Sequence, residues 1–188
     1  MTTPTLYIIA GCNGAGKTTA SFTVLPAMLR CREFVNADEI ARGLSPFNPS
    51  SVAIQAGKLM LERIDILLSE KATFAIETTL ATKSYRQLVG RAKAMGYQVY
   101  LLFFWLKSPQ VACERVARRV SEGGHDIPTE TIFRRYQLGI DNLFQIFIPI
   151  VDYWAIYDNN FHTRLIADSH TVLDSVNLKT IQELCQKK

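Results

Sequence analysis

Histidine is scarce in this 188-residue sequence, with three copies, and the four cysteines Cys12, Cys31, Cys113 and Cys185 stand far apart with no CxxC pair. That spacing excludes a paired-cysteine zinc site and a dense disulfide framework, and fits four reduced thiols in a reducing cytosol. Long apolar runs are missing as well. The longest, Val99 to Leu106, falls far short of the roughly 20 residues of a membrane-spanning helix and reads as a strand buried on both faces. The opening Met1-Thr2-Thr3-Pro4-Thr5 has neither the basic cluster nor the apolar core of a signal peptide. Export and membrane attachment are therefore not expected, and a cytoplasmic location is. The charge excess is only +4, from 21 basic and 17 acidic residues, too small for a protein that coats nucleic acid. Repeats and low-complexity linkers are absent, and a 48% hydrophobic content suits a single domain over 1–188 with its own core.

What is present is a rhythm. Apolar runs at 5–10, 34–36, 73–76 and 97–106 alternate with helical patterns near 16–29, 50–69, 84–95 and 109–122. Such alternation predicts an α/β fold built of βαβ units, with a mostly parallel sheet flanked by helices. After the breakers Gly123, Gly124 and Pro128, a second helix carries the stripe Ile132, Tyr136, Ile140, Leu143, Phe144, Phe147. Further strands are expected at 154–157 and 165–167, and a closing helix at 178–185.

Directly after the first strand stands Gly11-Cys12-Asn13-Gly14-Ala15-Gly16-Lys17-Thr18, a complete GxxxxGK[ST] phosphate loop opening a helix. Glycines let backbone N–H groups converge on phosphate oxygens at the positive end of that helix. The lysine adds a charge at the β/γ-phosphates, and the threonine hydroxyl suits Mg²⁺, which keeps most of its waters. Asn13, Gly14, Ala15, Gly16, Lys17, Thr18 and Thr19 are the expected nucleotide-binding residues. No NKxD motif accompanies them, so guanine is disfavoured and ATP is the expected nucleotide.

In open α/β sheets ligands sit beyond the carboxyl ends of the strands, and two of those ends carry carboxylates. Asn36-Ala37-Asp38-Glu39 follows the second strand, and Glu77-Thr78-Thr79 follows Ile76 in the third. Asp38 is the candidate base for an attacking hydroxyl; the same residue also suits the N-cap of a short helix over 39–43. Glu77 suits a metal-shell group or the grip on a substrate hydroxyl, with Thr79 alongside. Arg115, Arg118 and Arg119 recur at helical spacing, and Arg134 and Arg135 follow across the glycine-rich connection. Arginine forks take phosphate oxygens and the charge that develops during phosphoryl transfer, so the region near 109–147 reads as an arginine-rich lid that excludes water. Arg118, Arg119, Arg134 and Arg135 are the expected phosphate contacts. His125 reads as a hinge residue, and His162 and His170 have no companions.

Together these pieces resemble the zeta-toxin family of P-loop kinases, in its compact chromosomal branch. GCNGAGKTT, NADEIA, FAIETTLA, SPQVACERVARRVSEGGHDIP, FRRYQLGIDNL and DYWAIYDNN carry the likeness, and the arginine and GGHxIP block is its most specific part. The resemblance implies an ATP- and Mg²⁺-dependent kinase whose better-studied members phosphorylate UDP-N-acetylglucosamine and are held inactive by an antitoxin protein. It implies roles for Lys17 and Thr18 in the nucleotide loop, Asp38 as base, Glu77 and Thr79 at the substrate, and Arg119 and Arg135 in the phosphate clamp. Asn159 falls where the chain passes the adenine. The sequence departs from the family at Ala81, where many members place a substrate-binding arginine, so the reaction carries over more firmly than the nucleotide-sugar acceptor. Two rival readings stand beside a small-molecule kinase: an RNA 5'-hydroxyl kinase, and a nucleotide-binding regulatory protein that transfers nothing.

Overall fold

Thr5–Ala10 forms β1, every residue of it buried, as a strand must be when helices cover both faces of its sheet. The structure, a computed structural model, describes residues 3–27, 29–124 and 126–185; His125 lies outside them. The remaining strands are β2 (Glu33–Val35), β3 (Phe74–Thr78), β4 (Gln98–Trp105), β5 (Tyr153–Asp158) and β6 (Arg164–Asp168). They form one sheet in the order β2-β3-β1-β4-β5-β6. The first five run parallel, and β6 pairs antiparallel with β5. The strand order reverses at β1, between β3 and β4, so the crevice beyond the end of β1 is where a doubly wound sheet takes its ligand.

The helices are α1 (Lys17–Ala27), α2 (Ala37–Leu44), α3 (Ala53–Ser69, after a 3₁₀ turn at Pro49–Val52), α4 (Tyr85–Ala94), α5 (Pro109–Ser121), α6 (Thr129–Asn142) and α7 (Ser175–Leu184). Two of their starts set the site. Ser108 caps α5 by accepting from the Val111 amide, with Pro109 at the first helical position, where its missing N–H costs nothing. Asn36, rather than Asp38, caps α2: its Oδ1 accepts from the amides of Asp38 at 2.8 Å and Glu39 at 3.4 Å. Asp38 therefore lies inside the first turn. The helix after Pro128 does not run on unbroken, because Leu143–Phe147 widens into a π turn. One core joins Ile8, Ile76 and Leu101 of the sheet to Ile64 and Leu67 of α3 and to Ile140 and Phe147 beyond α5. Tyr136, buried in α6, donates its hydroxyl to the Leu106 carbonyl at 2.8 Å; burial pushes that phenol up to about 12. The bond fixes α6, and with it Arg135, against the end of β4.

Candidate active site

The loop between β1 and α1 is held in shape from behind. Gly14 and Gly16 adopt φ of +77° and +78°, the left-handed region that only glycine enters freely. A Cβ on Gly14 would sit 2.8 Å from the Ala112 carbonyl oxygen, and one on Gly16 would sit 2.6 Å from Asn159 Nδ2. Both glycines thus admit close neighbours that then brace the loop. Asn159 Nδ2 donates to the Ala15 carbonyl at 2.7 Å. Arg115 donates one guanidinium nitrogen to the Gly14 carbonyl at 3.5 Å and another to the Asn160 carbonyl. With these carbonyls engaged on the outside, the loop fits a triphosphate taken by the amides on the inside.

Within the loop Lys17 is 6% exposed. Its ammonium donates to the Cys12 carbonyl at 3.0 Å and stands 3.6 Å from Glu77 Oε1. Burial pushes the Cys12 thiol up to about 11, with Lys17 opposing it, which keeps that sulfur a protonated core atom. Glu77 is the hub. Its Oε2 accepts from the Thr18 hydroxyl at 2.8 Å and from Asn36 Nδ2 at 2.9 Å. Asn36 therefore serves twice, capping α2 with its oxygen and orienting Glu77 with its nitrogen.

These groups open onto a cleft of about 630 Å³ bounded by the loop, the first turn of α2, the 3₁₀ turn and the end of α5. Asn13, Gly14, Gly16, Lys17, Thr18, Thr19, Asp38 and Glu77 all line it, and so do Arg115 and Arg119. Its size falls within the roughly 300–1,000 Å³ range of ligand pockets.

Other expected site residues fall elsewhere. The basic stripe of α5 divides: Arg118 points to solvent and pairs with Glu122 at 3.1 Å, while Arg115 and Arg119 face the cleft. Arg134, with Arg135 and Thr79, lines a second cavity. Arg135 also donates to Asn13 Oδ1 at 3.1 Å. Burial lowers the affinity of its guanidinium for the proton, with Asp38 opposing and Arg134 adding to the effect. Ala15 is buried inside the loop, and Asn159 stands behind it. Sequence reasoning gave no individual role to Asn36, Arg115 or Asn160. The first was readable, since Asn36 and Glu39 have the spacing of a helix-capping box. Among the described residues no cluster of three or more His, Cys, Asp or Glu side chains gathers as a metal cage.

Comparisons with known proteins bear on the fold and the family. An uncharacterised protein of Haemophilus influenzae is 29% identical over 127 residues, covering 67% of this chain and 88% of the relative. Among solved structures, that of the PezAT chromosomal toxin-antitoxin system of Streptococcus pneumoniae superposes with a TM-score of 0.74 at 19% identity, over 98% of this chain and 79% of that one. The AvrRxo1-ORF1:ORF2 structure with ATP superposes with a TM-score of 0.80 at 17% identity, and this chain spans 65% of its length. At such identities the likeness is one of fold, that of the P-loop kinases. The model of the family described as zeta toxin matches residues 1–170, and with that extent of agreement the chain belongs to the zeta toxin family.

Proposed function

We propose that this protein is an ATP- and Mg²⁺-dependent phosphotransferase that moves the terminal phosphoryl group onto a hydroxyl of a small-molecule acceptor. It acts as a single domain in the cytoplasm, with α5 and α6 as its lid. The observation that carries the reading is the linked set of Lys17, Thr18 and Glu77, which faces Asp38 across one cleft. A hydroxyl and a carboxylate 2.8 Å apart at the mouth of a phosphate loop are the donor types that magnesium takes while keeping its waters. When bound there, the ion would neutralise charge on the β- and γ-phosphates.

The protein's own groups divide the remaining work. Lys17 and the loop amides hold the phosphates. Asp38 orients the acceptor hydroxyl and accepts its proton as the new oxygen–phosphorus bond forms and the bond to ADP breaks. Arg119 stabilises charge on the transferring group, while Arg115 braces the loop from behind. A nucleotide sugar such as UDP-N-acetylglucosamine is the first acceptor to test, despite the departure at Ala81. The PezAT neighbour is a toxin-antitoxin system, which supports an antitoxin protein as partner.

The test is transfer from γ-labelled ATP into UDP-N-acetylglucosamine, free sugars and 5'-hydroxyl RNA, with magnesium varied. Product on a small molecule is expected, none with K17A or D38A, and loss of ATP binding with K17A alone. Full activity in D38A removes that carboxylate from the mechanism. Product on RNA alone favours the polynucleotide kinase, and firm ATP binding without product on any acceptor overturns the phosphotransferase reading in favour of a nucleotide-dependent switch.

A further inference from the structure

A second cavity, of about 240 Å³, is lined by Thr79, Ala81, Thr82, Arg134, Arg135 and Leu138. Its wall is built. Leu80, fully buried, holds φ at +60°, a conformation that strains a branched residue and persists only where the surroundings enforce it. They do: its amide donates to Thr78 Oγ1 at 3.0 Å, and its carbonyl accepts from Asn142 Nδ2 at 2.8 Å. Helix α6 presses on the same turn, since a Cβ on Gly139 would meet the Thr79 carbonyl at 2.8 Å. Thr79 and Ala81 flank this pinned residue, so the cavity has a fixed side.

The charge in that cavity is one-sided. No acidic residue lines it, two arginines do, and among the described residues neither Arg134 nor Arg135 forms an ion pair. Two adjacent cations sharing a pocket with two hydroxyls call for an anion, which arginine forks and threonine hydroxyls both bind. The volume lies below that of a whole-ligand pocket and suits one charged group. Arg135 ties the cavity to the reacting region, because it also touches Asn13 of the phosphate loop and feels the charge of Asp38.

We infer that this cavity is an anion subsite for the acceptor: Arg134 and Arg135, with the hydroxyls of Thr79 and Thr82, take a phosphate or carboxylate borne by the molecule whose hydroxyl is phosphorylated. The inference rests on the phosphotransferase reading. It makes Arg134 a specificity residue rather than a nucleotide contact, and it places cationic charge from α6 beside Ala81.

The test is calorimetry on the intact protein with Mg²⁺ and the non-hydrolysable ATP analogue AMP-PNP, titrated with glucose, glucose 1-phosphate and gluconate. At least one anionic probe should bind ~10-fold or more tightly than glucose, as charged hydrogen bonds imply; whichever does so identifies phosphate or carboxylate. R134Q should remove most of that preference while leaving AMP-PNP affinity unchanged, and R134K should restore part of it. Equal binding of charged and neutral probes, or a preference that survives R134Q, overturns the subsite. Failure to bind AMP-PNP counts against the kinase reading instead, and the same probes titrated without nucleotide still read the subsite.

Discussion

Glu77→Gln separates charge from shape at the hub of the site. The carboxylate accepts from Thr18 and Asn36 through one oxygen and lies 3.6 Å from the Lys17 ammonium through the other. Glutamine retains an oxygen for the two donors but removes the negative charge beside a cation that is almost wholly buried. Stripping the partner from a buried ion costs about 3–5 kcal/mol when nothing else compensates. Lys17 keeps the Cys12 carbonyl at 3.0 Å, so about 2 kcal/mol is the reasoned loss. At roughly 2–4 °C per kcal/mol for a chain of this length, the nucleotide-free variant should melt about 4–8 °C lower by circular dichroism. Turnover should fall on the order of 10²–10³-fold, as for other groups that organise transition-state charge, with half-maximal activity displaced to higher magnesium. A variant melting within about 1 °C of the parent and keeping its magnesium dependence would refute both the ion-pair account and the metal-shell role.

The division of the α5 stripe gives a paired experiment. Arg119→Ala should slow phosphoryl transfer by about 10³-fold or more, whereas Arg118→Ala, which removes a surface pair, should change stability by no more than about 0.5 kcal/mol and leave the rate alone; equal effects would contradict the placement of the two side chains. Thiol labelling reads burial independently. At pH 8 Cys12 and Cys31, each pushed up to about 11 by burial, remain protonated and should react slowly with a disulfide reagent, while the half-exposed Cys113 and Cys185 react first. Rapid modification of Cys12 would show that the loop opens readily.

Where chemistry and local pattern coincide, residues announce their place. The apolar run at Thr5–Ala10 occupies the central strand with the boundaries its composition implies, and Pro109 marks the start of α5 because proline fits there and not a turn later. Helix α2 is harder to read: it spans eight residues, little more than two turns, and its start depends on an Asn36 side chain engaged with Glu77, 41 positions away. The antiparallel edge at β6 and the π turn after Asn142 likewise follow from packing that no short window contains. At the site, the motif discloses Lys17 and Thr18 and hides what steadies them. Arg115 reaches Gly14 from 101 positions on, and Arg135 reaches Asn13 from 122. Helical spacing groups Arg115, Arg118 and Arg119, and only the packing of α5 against the loop separates the pair turned inward from the one in solvent.

The clasp on the outer side of the phosphate loop bears on how the protein comes into being. The loop is complete by Thr18, yet the amide that grips Ala15 and the carbonyl that anchors Arg115 belong to Asn159 and Asn160, beyond the last parallel strand. A chain emerging from the ribosome carries the glycines early and their fastening late. The shape of the loop thus waits on a residue made 144 positions after Ala15, and a polypeptide that stalls before Tyr153 holds the motif without the contacts that brace it.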